Sequence, residues 1–150
     1  CQWVEEALVE AFSLRGLELL ADDWERTPPF PADFTFGGAI RDYRDAVQDS
    51  HRQVAREQGI EAGLGAWFGA QQAYLEQHAG VDVARGAVVT MLDLLAVDEA
   101  AIGDLGALNR WPGRSGVPLP DYLDLWQASC AELDAPGHLP NRLRKLLLAG

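Results

Sequence analysis

Lysine is almost missing from this sequence. Lys145 is the only one, and Lys+Arg together reach 12 against 23 Asp+Glu, a formal net charge of −11. Nucleic acids and anionic membrane surfaces are held by basic stripes that displace counterions, so neither is expected as a partner. Cysteine is scarce as well. Cys1 and Cys130 are too few for a disulfide framework and lie at no metal-ligand spacing, which favours a reducing, cytoplasmic setting. Long apolar runs are absent. The densest is Ala87-Val88-Val89-Thr90-Met91-Leu92, far short of the roughly 18 residues of a membrane span. Neither a signal-peptide pattern nor an Asn-x-Ser/Thr sequon is read, and the opening Cys1 in place of Met points to a processed or excised piece.

Strand formers are few too. Val, Ile and Thr make 16 of the 150 residues while Ala and Leu make 43, so intrinsic propensity favours helix. The expectation is an all-α bundle of about six to seven helices. A first helix, Gln2 to Asp23, sets Val4, Leu8, Ala11 and Phe12 on one face, and Thr27-Pro28-Pro29-Phe30-Pro31 breaks it. A second, Gly38 to Gln58, carries the stripe Ile40, Tyr43, Val47, His51, Val54 and stops at Gly59. A third spans Glu61 to His78. The segment Asp82 to Leu95 is apolar nearly all round and is expected to be the central helix, residues 82–95. A shorter helix runs from Asp98 to Asn109. Residues 111–118 read as a linker between a helical core (1–110) and a helical tail (111–150), whose helices open near Pro120 and Pro140.

The candidate chemistry is thin. An N-terminal Cys1 nucleophile or lipid site would need a strand or tether, and a helix follows at once. His51 and His78 have neither a Glu-x-x-His nor a His-x-x-x-His partner, so they read as packed or capping residues; His138 lies in a loop. Asp42, Asp45 and Asp49 are interleaved with Arg41, Arg44, Arg52 and Arg56, the mark of a salt-bridged helix face. Gly63-Leu64-Gly65 with Gly69 has no preceding strand and no dinucleotide-binding spacing. Arg142, Arg144 and Lys145 suit a helix C-terminus and the docking of the last helix. No catalytic residue and no metal site is assigned.

A set of motifs runs from Phe34 through Arg41-Asp42-Tyr43 and Ala46 to Ala55-Arg56-Glu57-Gln58-Gly59-Ile60, Tyr74 and Gly86-Ala87-Val88. Their order over residues 1–96 resembles the all-helical C-terminal domain of the β-hydroxyacid dehydrogenases, relatives of 3-hydroxyisobutyrate and 6-phosphogluconate dehydrogenase. The resemblance implies a homodimerising, substrate-closing domain of an NAD(P)-dependent oxidoreductase acting on a small molecule, with the nucleotide-binding domain upstream. The family's catalytic lysine has no counterpart, since Lys145 lies in the tail. Arg41 stands where the family has a lysine near the cofactor, and the resemblance makes it the cofactor-binding residue for NAD or NADP. The residues taken alone allow an ordinary Arg41 to Asp45 pair. The alternative reading of the chain is a free-standing helical ligand-binding or protein-interaction module, such as the effector domain of a regulator.

Overall fold

The computed structural model describes residues 1–78, 81–110, 113 and 116–148, the side chain of Val81 excepted. Its α-helices are α1 (Gln2–Arg26), α2 (Phe36–Glu57), α3 (Leu64–Gln77), α4 (Val81–Ala84), α5 (Val88–Ala96), α6 (Ile102–Ala107), α7 (Leu119–Glu132) and α8 (His138–Leu148). Short 3-10 turns lie at Pro31–Asp33, Ile60–Ala62, Arg85–Ala87, Glu99–Ala101 and Leu108–Arg110, and no strand occurs among the described residues. The fold is an all-α multi-helix bundle. Of the expected linker, Trp111, Pro112, Arg114 and Ser115 lie outside the described residues.

α1 is the longest element and lies against α2, α4 and α5. It buries Trp3, Val4, Ala7, Leu8, Ala11 and Leu14, spaced three to four residues apart so that each turn returns the same face to the core. Phe12 was expected on that face. It sits one position off the stripe and is 45% exposed. At the N-terminal end Trp3 meets Trp67 edge-on and stacks on Phe68, the ring centroids 5.5 and 5.8 Å apart, which seats α3. Thr27 ends the helix, its N–H and hydroxyl both donating to the Asp23 carbonyl ahead of Pro28. The connection that follows leaves Phe30 and Phe34 exposed.

The 82–95 segment is part of the core, with Ala84, Ala87, Val88, Met91 and Leu95 fully buried. It is built as α4 and α5 joined by the 3-10 turn at Arg85–Ala87, and its acids Asp82 and Asp93 are exposed. Buried residues of α7 and α8, including Leu123, Trp126, Leu139 and Leu143, join one cluster with those of α1, α3 and α5. α8 begins at His138, two residues before Pro140, and packs on α3 and α7.

α2 departs most from expectation. Only Gly37, His51 and Ala55 are buried on it, and Tyr43, expected inward, is 64% exposed. The face turned to α1 is polar: Arg41, Arg44 and His51 recur at helical spacing and meet acids of α1. Close approach begins at Gly37, where a Cβ would fall 2.9 Å from the Ala21 carbonyl oxygen. Gly59, at φ 71°, supplies the left-handed residue after the helix.

Candidate functional site

Between α1 and α6 lies a groove of about 360 Å3. Its α1 wall consists of Leu8, fully buried, with Val9 and Phe12 at the rim, 62% and 45% exposed. Ile102, Leu105 and Leu108 form the facing wall, where Gly106 leaves room. Glu5 and Asn109 supply the polar end, and the Tyr122 hydroxyl donates to Glu5 Oε1 at 3.2 Å. Ile102 and Leu105 are half-buried and Leu108 is buried, so exposed apolar side chains of α1 border an open space with an apolar opposite wall, which marks a binding surface more specifically than scattered ones do.

What holds the facing wall in place is Asp104. This carboxylate is wholly buried, yet both oxygens are satisfied: Oδ1 accepts from the Gly137 N–H at 2.7 Å and Oδ2 from the Leu139 N–H at 2.8 Å. Those amides open α8, so the negative charge meets the positive end of an eleven-residue helix. The Trp126 indole N–H donates to the Asp104 carbonyl at 2.7 Å and ties α6 to α7 as well. Cys130 lies in the same interior. Burial, and then the nearby Asp104 charge, push its thiol up to about 12. The sequence carried a signal for this clamp. Ala101, Asp104 and Leu108 share the inward stripe of one turn-rich segment, and an aspartate on an apolar stripe needs a partner.

The residues singled out in the sequence fall elsewhere. Arg41 turns toward α1, donating to Asp22 at 2.8 Å and to Glu25 at 2.5 Å, and does not pair with Asp45. Hydrogen bonding to these two acids raises its pKa further above the ordinary guanidinium value and lowers that of Glu25. Asp45 pairs with Arg44 and Asp49 with Arg52, the mixed face expected of α2. His51 is buried, with Nδ1 3.1 Å from the Arg85 carbonyl and Nε2 3.2 Å from Glu10. Because a carbonyl only accepts, Nδ1 is the nitrogen that donates to Arg85.

His78 caps α3, with Nδ1 2.9 Å from the Tyr74 carbonyl and its ring stacked on Tyr74. His138 and Arg142 both reach Asp98, at 2.6 and 3.0 Å, and Arg144 pairs with Asp124. Cys1 Sγ donates to the Val117 carbonyl, and Gly65 lets α3 approach the backbone of α8 at Leu146. Among the described residues no group of three or more His, Cys, Asp or Glu is placed to hold a metal ion, and no helix is long and apolar enough to cross a membrane. Comparison with protein-family models, with curated proteins and with solved structures finds no match to this chain.

Proposed function

We propose that this chain is a helical small-molecule-binding module whose α1–α6 groove takes a neutral, mainly apolar ligand. The observation that carries this reading is the juxtaposition of Val9 and Phe12 with Ile102, Leu105 and Leu108 across an open volume of about 360 Å3. That volume lies at the small end of the usual range for ligand pockets, roughly 300–1,000 Å3. Burying the two rim side chains against a ligand would release about 25 cal/mol for each Å2 of apolar surface removed from water. Glu5 is the only ionisable residue among the described lining, which otherwise offers apolar surface suited to a neutral ligand.

The reading as the helical half of a dehydrogenase rests on motif order. Its one assigned residue, Arg41, is committed to two carboxylates, and a cofactor phosphate would have to displace Asp22 or Glu25 to reach it. The groove therefore supports the ligand-binding alternative better. A titration of methyl-labelled protein with the neutral dye N-phenyl-1-naphthylamine tests it. Saturable shifts confined to Leu8, Val9, Ile102, Leu105 and Leu108 are expected. Shifts spread over the surface, or none, would refute the assignment.

A further inference from the structure

Three of the eleven arginines converge at a second place that shares no lining residue with the groove. Arg15 of α1 and Arg44 and Arg52 of α2 line a cavity of about 290 Å3, with Gln48, Glu18 and Asp93 as its other polar walls. In a chain of net charge −11 such a concentration of cations runs against composition.

The burial of the two signs is unequal. The side chains of Arg15 and Arg44 are 13% and 16% exposed, whereas Glu99, Glu18 and Asp45, which face them, are 87%, 53% and 51% exposed. Fixed cations are thus balanced by acids that water already solvates. Arg15 is the least satisfied. Its Nη1 donates to the Leu95 carbonyl at 2.6 Å, its Nη2 stays 3.8 Å from Glu99, and its Nε is buried without a partner. An unmet buried donor costs more than an exposed ion pair returns, so an acceptor entering the cavity gains what Glu99 does not supply.

We infer that this cavity binds a small phosphate-bearing ligand. Guanidinium forks suit phosphate oxygens, and the Gln48 amide adds a neutral donor. The lining holds three cations and two anions, while Asp45 and Asp49 pair with Arg44 and Arg52 from beside it; Glu18, Asp45 and Asp49 are exposed acids that can turn to water and leave the guanidinium groups to a phosphate. Glu18, which holds Arg44 at 2.9 Å, is then a competitor of the ligand for that guanidinium, beside Asp45 on its other edge.

The experiment is calorimetric and thermal titration of the whole chain with inorganic phosphate at pH 8, against sodium chloride of equal ionic strength. Phosphate should bind saturably and raise the melting temperature where chloride does not. Arg44→Gln should weaken binding at least tenfold, and Arg110→Gln, whose exposed side chain pairs with Glu132 elsewhere, should leave it unchanged. Glu18→Gln should tighten it, an outcome that a merely structural ion pair does not produce. Arg15→Gln removes the anchor on Leu95; if that variant fails to fold, Arg44→Gln and Glu18→Gln still decide. Stabilisation no greater than that from chloride, or equal phosphate binding by Arg44→Gln and the parent, overturns the proposal.

Discussion

Asp104 and Leu139 are 35 residues apart in sequence, yet the carboxylate of the first accepts the amide hydrogen of the second at 2.8 Å. This bond and its twin from Gly137 fix α6 against the start of α8, and with it one wall of the groove. Asp104→Ala would strand two buried N–H groups at a helix N-terminus. A loss of about 3 kcal/mol is expected, which for a chain of this size lowers the melting temperature by about 6–12 °C. Asp104→Asn keeps one acceptor and should lose less. Thermal unfolding followed by circular dichroism measures both; a shift of under about 2 °C for Asp104→Ala would mean the clamp is not formed.

Asp98 gives a pH dependence. The hydrogen bond from His138, then the charges of His138 and Arg142, lower its pKa below the ordinary carboxylate value. Since the folded value is depressed, its contribution is fully present above the unfolded value, near pH 4, and is lost as pH falls through the folded value. Asp98→Asn should therefore destabilise the protein at neutral pH, and its melting curve should fall less steeply than the parent's below about pH 4. Parallel acid limbs in the two proteins would show that the pair contributes nothing.

Cys130 is expected to be inert in the folded protein. With no exposed surface and a thiol pushed up to about 12, its thiolate fraction at pH 8 is about one in ten thousand. Iodoacetamide labelling resolved by peptide mass should find Cys130 protected in buffer and reactive in guanidinium. Modification in buffer at the rate of an unfolded peptide would place the residue at the surface.

Val88 tests the core. It is fully buried at the start of α5, and Val88→Asp sets a carboxylate there with no designed partner. A loss of more than about 3 kcal/mol is expected, read as a large fall in the denaturation midpoint. A chemical-denaturation midpoint equal to the parent's would contradict the assignment of this segment to the interior.

The helices were legible where burial and polarity agree. Leu8, Ala11, Val88 and Met91 are apolar and inward, and helix ends or beginnings are marked by Pro28 and Pro120, whose φ is fixed, and by Gly59, which as a glycine takes the left-handed conformation without strain. α2 resisted the same rule. Its inward positions include Arg41 and Arg44, which ion pairs with α1 make tolerable, so the expected stripe holds at Val47 and His51 but fails at Tyr43, where the inward place is taken by Arg44. The groove could not be read at all. Its walls come from residues 8–12 and 102–108, each an unremarkable apolar run, and only the tertiary clamp at Asp104 sets them opposite one another. Arg15 was equally silent, because its isolation depends on Leu95 and Glu99, some eighty residues on.

The central claim is that the α1–α6 groove binds an apolar ligand, and Gly106→Leu tests it most directly. Gly106 lines the groove and a Cβ there meets nothing within 4 Å, so a leucine has room to extend into the space the ligand would occupy. Replacing a helical glycine also removes a penalty of about 0.5–1 kcal/mol, so the variant should fold at least as stably as the parent. Fluorescence titration with N-phenyl-1-naphthylamine should show its Kd rise at least tenfold, about 1.4 kcal/mol, beside an unchanged or higher melting temperature. Equal dye affinity in the parent and in a folded Gly106→Leu protein would contradict the account.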